Sequence, residues 1–196
     1  MVTEANNVIA IIPMKPLSEG KSRLSQDLTA DQRADLVLGL LRRVIVAIRG
    51  AGMDTIWVVG GDERVTELTH LLGVDRMEEL GTDLNDTLKK AFALAFEHGK
   101  SALFVAGDLP FLKPADIHSM MQASRRQGNV TLAPARRDGG TNSILVPLGV
   151  PLEPELGSAS FMKHLTQAAQ LETSVAINSS QGLGFDLDVV DDLETF

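Results

Sequence analysis

The chain contains no cysteine and no tyrosine. The first absence excludes disulfides, thiolate zinc sites, iron–sulfur clusters and cysteine nucleophiles. The second excludes a catalytic phenol. Aromatic residues make up only 4% of the chain, and its one tryptophan, Trp57, sits in an apolar run that marks it as core. No apolar run is long: Val8 to Met14, for one, is far too short to span a bilayer. The opening residues MVTEANN are polar and carry no apolar signal core, so the expectation is a soluble cytoplasmic protein without membrane contact. Bases are missing from the end of the chain. Residues 151–196 hold one, Lys163, against eight acids, whereas residues 1–50 hold seven bases and five acids. An acidic chain, net charge −8, with no basic stripe argues against nucleic-acid binding, and its acidic end calls for a purpose.

What is present is ordinary for a folded protein: 44% hydrophobic and 22% charged residues over 196 positions. Disorder, collagen and coiled coil are therefore excluded. Without a linker, low-complexity segment or internal repeat, residues 1–196 read as a single domain. The apolar runs Val8–Pro13, Thr55–Val59 and Ala102–Ala106 have the continuous character of strands buried in a parallel sheet. Between and after them lie helical patterns over 30–49, 63–72 and 83–98, with another starting at Pro114. Thr29 with Gln32 is a capping-box pair, and Gly50 and Gly52 stop the first helix. After residue 128, Val130–Ala133 and Ser143–Val146 flank the turn Asp138–Thr141 and look like an antiparallel pair. A helix over 158–170, a strand over Ser174–Ile177 and the extended segment Phe185–Asp188 follow. Alternating strands and helices followed by hairpin-like strands predict an α/β fold: one mixed sheet flanked by helices.

In such sheets ligands bind beyond the carboxyl ends of the strands. The segments there are Lys15–Arg23, Gly60–Asp62 and Gly107–Asp108. Gly20-Lys21-Ser22 resembles the end of a Walker A loop, but that loop needs a glycine where Lys15 stands. Lys15, Lys21 and Arg23 are either three cations converging on a polyphosphate or ordinary surface bases. Asp108 directly follows a buried strand, a position that suits a Mg²⁺ ligand or a turn residue. Asp186 and Asp188 at i and i+2 project to one side of an extended segment. Like charges so placed need compensation; no base follows Lys163, so a metal ion is the expected partner. Asp138-Gly-Gly-Thr-Asn142 reads as a ligand loop or a plain hairpin turn. Gly157-Ser-Ala-Ser160 reads as an anion site at a helix start or as capping by Ser158. The four histidines, His70, His98, His118 and His164, are scattered over helices and expected to be surface or satisfied side chains; no GxSxG elbow supports a hydrolase. The apolar stretch 144–152 is either core or an interface between copies.

Five of these segments in order, Pro13-Met-Lys-Pro with Lys21-Ser-Arg-Leu24, Gly107-Asp-Leu-Pro110, Asp138-Gly-Gly-Thr-Asn142, Gly157-Ser-Ala-Ser-Phe161 and Phe185-Asp-Leu-Asp188, resemble the CofC/FbiD family of coenzyme F420 biosynthesis. The resemblance covers essentially the whole chain. It implies a single-domain, Rossmann-like nucleotidyltransferase fold of the glycosyltransferase-A type. It also implies guanylyl transfer from GTP, with Mg²⁺, to phosphoenolpyruvate or 2-phospho-L-lactate. By motif match, Asp108, Asp186 and Asp188 would hold the metal; Thr141, Gly157 and Ser160 would bind the acid; and Lys15, Lys21 and Arg23 would hold the triphosphate. Gly60, Gly81 and Asn85 are the expected guanine contacts. The chain lacks the glycine-rich LxAGxGxR loop of many related nucleotidyltransferases, a departure that fits this family.

The implied reaction is in-line attack of an acceptor phosphate on the α-phosphorus, with pyrophosphate leaving. Phosphoenolpyruvate is the favoured acceptor. Its product would be unstable, which implies transient contact with the next enzyme; a homo-oligomer is also open. The alternatives are another nucleotidyltransferase of the same fold, of molybdopterin or sugar-phosphate type, and a non-catalytic nucleotide-binding module. The expected charge layout has cations on one edge of a cleft and carboxylates on the other.

Overall fold

A computed structural model describes residues 7–125 and 128–195. Seven strands form one sheet in the order β3-β2-β1-β4-β6-β5-β7. The central strand β1 (Val8–Met14) pairs in parallel with β2 (Ile56–Gly60) on one side and β4 (Ser101–Val105) on the other. Its residues are buried on both faces, which is why it reads as a continuous apolar run. β6 (Thr141–Val146) runs antiparallel to β4 and to β5 (Val130–Pro134), so the sheet is mixed as expected. β7 (Val175–Ile177) adds in parallel to β5. The short edge strand β3 (Asp75–Met77), parallel to β2, was not anticipated; three residues with two charges carry no strand pattern.

Alternation along β1 assigns the two faces. Ala10 and Ile12 pack with α1 (Ala30–Gly50) and α4 (Pro114–Arg125), whereas Ile9 and Ile11 pack with α3 (Leu84–Glu97) and α5 (Ser160–Gln170). α2 (Glu63–Leu72) contributes Val65 to the first face. The Thr29–Gln32 capping box forms with both bonds present. Trp57 is core, 7% exposed. The stretch 144–152 is core at its two ends: Ile144, Leu145, Val146 and Leu152 are buried, and Leu148 between them is exposed. Two short helices complete the chain, α6 (Gln181–Gly184) and α7 (Val190–Thr195). Among the described residues no helix is long and apolar enough to cross a membrane.

A third, small core positions the site. Leu24 from the β1–α1 loop, Leu40 from α1 and Leu187 from the C-terminal segment are all at most 1% exposed and pack together. This contact clamps the lysine-bearing loop onto the acidic end of the chain.

Candidate active site

The carboxyl ends of β1, β2 and β4 and the start of antiparallel β6 share one edge of the sheet. There the chain leaves a cavity of 430 Å³, large enough for a small ligand. It opens where neighbours diverge from β1 in both directions, the switch point at which α/β sheets bind ligands. Lys15, Lys21, Arg23, Asp108, Thr141, Asn142, Asp186 and Asp188 all line it. Four segments distant in sequence thus supply these residues to one site.

The β1–α1 loop is two short 3₁₀ turns, Leu17–Glu19 and Ser22–Leu24. Asp62, the N-cap of α2, reaches across and accepts from the Leu17 N–H at 2.9 Å, pinning the loop. Lys21 adopts a left-handed backbone, φ 50°, unusual for a side chain with a Cβ. Its ammonium turns inward, 7% exposed, and donates to Asp108 Oδ2 at 2.5 Å and Asp188 Oδ1 at 2.9 Å. Burial opposes the charge on Lys21, but the two carboxylates and their hydrogen bonds outweigh it and raise its pKa above the ordinary 10.5. Arg23 remains exposed at the rim, 3.6 Å from Asp188. Lys15 is also exposed.

This corrects two expectations. Asp188 and Asp108 do have a protein cation, supplied from 167 residues away along the chain from Asp188. Cations and carboxylates therefore interleave instead of occupying opposite edges. Asp186 stands beside this pair and accepts from Asn142 Nδ2 at 3.2 Å. Burial pushes the Asp186 carboxyl above its ordinary value, the Asn142 bond opposes that shift, and the nearby Asp108 and Asp188 add to it. Among the described residues no three His, Cys, Asp or Glu side chains gather as a metal cluster.

Asp192 stands near the acidic end of the chain but is not solvated charge: it is 2% exposed, ion-paired with Arg137, and accepts from the N–H groups of Asp188 (2.8 Å) and Val189 (2.9 Å). Burial works against its charge, yet the Arg137 and backbone bonds outweigh it and hold its carboxyl below the ordinary range. Asp192 thereby fixes the backbone that presents Asp188.

At the other wall, the Asp138–Thr141 turn closes on itself, Gly140 N–H donating to Asp138 Oδ1 at 2.8 Å. It also docks α5, because Phe161 N–H donates to the Gly139 carbonyl. The N-cap of α5 is Ala159 with no side-chain bond, so Ser158 does not cap it. Ser160 is fully buried, with its hydroxyl 3.2 Å from Thr141 Oγ1. Gly157 and Ser160 are outside the cavity lining: Ser160 is buried against Thr141, and Gly157 is exposed.

The expected guanine contacts have structural work. Gly60 has φ +85°, and a Cβ there would lie 2.4 Å from the Met14 carbonyl oxygen. A Cβ at Gly81 would lie 2.3 Å from the Thr87 nitrogen at the start of α3. Asn85 spends its amide on the Leu156 backbone, accepting at 2.7 Å and donating at 3.2 Å. None of the three lines the cavity; Val59, Glu79, Leu84 and Thr87 do so at that end. Sequence reading passed over Glu79, placed Asp62 at a strand end without giving it a role, and read His164 only as a surface or satisfied side chain. Only His164 left a readable signal, since Ser160, His164 and Ala168 recur every fourth residue on the buried face of α5.

A family model described as "Guanylyl transferase CofC like" matches residues 8–196. The phosphoenolpyruvate guanylyltransferase of Rubrobacter xylanophilus is 35% identical, covering 95% of this chain and 92% of that protein. The 2-phospho-L-lactate guanylyltransferase of Methanothermobacter thermautotrophicus is 31% identical, covering 94% and 81%. The 3-phospho-D-glycerate guanylyltransferase of Phenylobacterium zucineum is 32% identical, covering 93% and 86%. Among solved structures, 4-diphosphocytidyl-2C-methyl-D-erythritol synthase superposes with a TM-score of 0.66 at 12% identity, covering 97% of both chains, a likeness of fold.

Proposed function

This chain belongs to the family of CofC-like guanylyl transferases, and from that premise we propose that it transfers GMP from GTP to phosphoenolpyruvate, or to 2-phospho-L-lactate. The observation that supports the reading is the Lys21–Asp108–Asp188 cluster in the cavity that Thr141 also lines. A phosphate oxygen of the acid attacks the α-phosphorus of GTP. The new P–O bond forms as the bond to the β-phosphate breaks, and pyrophosphate leaves. The acceptor phosphate is already ionised near neutral pH, so no strong general base is required. Positioning and charge stabilisation supply the rate.

Asp108 and Asp188 fit a Mg²⁺ site because both already converge on one cation, the Lys21 ammonium. Magnesium takes one or two carboxylates and fills its other positions with water and phosphate. Asp186 would complete the acidic wall. When bound, the metal would neutralise charge on the triphosphate. Lys21, freed from the carboxylates, would join Lys15 and Arg23 on the phosphates. At the apolar end of the cavity, the Glu79 carboxylate can accept from the adjacent N1–H and N2–H donors of guanine. Glu79→Gln should narrow the preference for GTP over ATP by about tenfold, read as the ratio of kcat/KM values.

The pathway reading is coenzyme F420 biosynthesis, with the unstable phosphoenolpyruvate product passed to the next enzyme in the cytoplasm, where GTP is made. Mass spectrometry after incubation with GTP, Mg²⁺ and each of phosphoenolpyruvate, 2-phospho-L-lactate and 3-phospho-D-glycerate tests the acceptor. A guanylylated phosphoenolpyruvate, or its breakdown products with matching pyrophosphate, is expected. Turnover only with 3-phospho-D-glycerate would replace the acceptor, and turnover with none would refute the reading.

A further inference from the structure

His164 is fully buried on α5, and its two ring nitrogens have different partners. The Glu155 backbone N–H donates to Nε2 at 2.9 Å. Because a backbone N–H can only donate, Nε2 is an acceptor, and the proton of the neutral ring sits on Nδ1. Nδ1 lies 3.0 Å from Thr141 Oγ1, which therefore accepts from it. Ser160 Oγ lies 3.2 Å from the same oxygen. Two hydroxyls carry two protons, and their mutual bond uses one. Since Nδ1 is a donor, it takes neither, so one hydroxyl proton is left over. Thr141 faces the cavity and Ser160 does not, so the arrangement with Ser160 donating puts the spare proton on Thr141, aimed at a ligand. In the opposite tautomer Nδ1 would accept the Thr141 proton, Ser160 would donate to Thr141, and nothing would remain for the ligand.

We propose that His164 is a positioning residue for the acceptor subsite: held in its Nδ1–H tautomer by the Glu155 backbone, it makes Thr141 a donor to the phosphate or carboxylate of the acid. The proposal rests on the acceptor reading above. The backbone that sets the tautomer is itself held. Asn85 grips Leu156 from α3 with two bonds, and Lys163 pairs with Glu155 at 2.8 Å.

Two substitutions separate the roles of the two nitrogens. Asn places its amide nitrogen near the Nδ1 position and can keep donating to Thr141. Gln reaches the Nε2 position, keeping a partner for Glu155 but losing the donor to Thr141. His164→Gln should raise the KM for the acid by about tenfold or more, with the KM for GTP little changed. His164→Asn should keep the acid KM within about threefold of the parent. Equal loss of acid affinity in both variants, with the wild type active, would overturn the positioning role alone. Failure of the wild type to use any of the three acids would overturn the acceptor reading and the role together. A ¹⁵N-histidine spectrum of the wild type reads the tautomer directly, and one folded His164 variant is enough to assign the signal. The signal missing in the His164 variants should be neutral with its proton on Nδ1; a proton on Nε2 would overturn the proposal.

Discussion

A single lysine side chain decides how the charge of this molecule is arranged. Lys21 sits between two carboxylates that would otherwise repel, 7% exposed and held by both. It therefore competes with any metal ion for Asp108 and Asp188. Lys21→Met should strengthen Mn²⁺ binding in the absence of nucleotide by about tenfold while lowering turnover with GTP, measured by Mn²⁺ electron paramagnetic resonance and pyrophosphate release. Unchanged Mn²⁺ affinity would contradict that competition. His164 makes a pH prediction. Burial drives its pKa from 6.5 down to about 4, with Glu155 opposing the shift and Lys163 adding to it. A histidine depressed in this way adds nothing to the pH dependence above its unfolded pKa and costs stability as pH falls toward the folded one. The wild type should lose about 3 kcal/mol on this account between pH 6.5 and 4, whereas His164→Asn should lack that slope in urea denaturation. Asp108, Asp186 and Asp188 were legible as residues of the candidate site because each stands in or directly after an apolar segment that fixes its place. The partner of Asp188 was not, because an ion pair spanning 167 residues leaves no local pattern.

At the scale of elements, the site depends on the small core of Leu24, Leu40 and Leu187, which fastens the β1–α1 loop to the C-terminal segment. Leu187 is fully buried, lies between Asp186 and Asp188, and its N–H donates to the Asp108 carbonyl. Leu187→Ala should cost about 2–5 kcal/mol of stability, seen as a lower urea midpoint. It should also lower turnover in the surviving folded protein, because the same contact sets the spacing of the carboxylates. A stability loss with turnover untouched would separate the core from the site. The larger elements were readable in advance because their signals are local. Continuous apolar runs gave β1, β2 and β4, and the Thr29–Gln32 capping box gave the start of α1. What escaped was short: β3, α6 and α7 have three to six residues each, too few for any periodicity to show. The start of α5 shifted from 158 to Ser160 because tertiary contact with the Gly139 carbonyl, not a side-chain cap, sets it.

Across the whole molecule, the uneven charge of the sequence resolves into construction. The loop rich in bases and the acidic end of the chain fold against each other at one edge of the sheet, and Asp192 with Arg137 braces that junction. Fold class and most of the candidate site followed from strand order and the chemistry of strand ends; long-range pairings did not. Asp108 with Asp188 is the proposed guanylyl-transfer centre. The most direct measurement is acid-dependent pyrophosphate release from GTP at saturating Mg²⁺ by Asp188→Ala, with its fold verified by circular dichroism. A loss of about a hundredfold or more in kcat is expected; near-normal turnover would remove Asp188 from the centre.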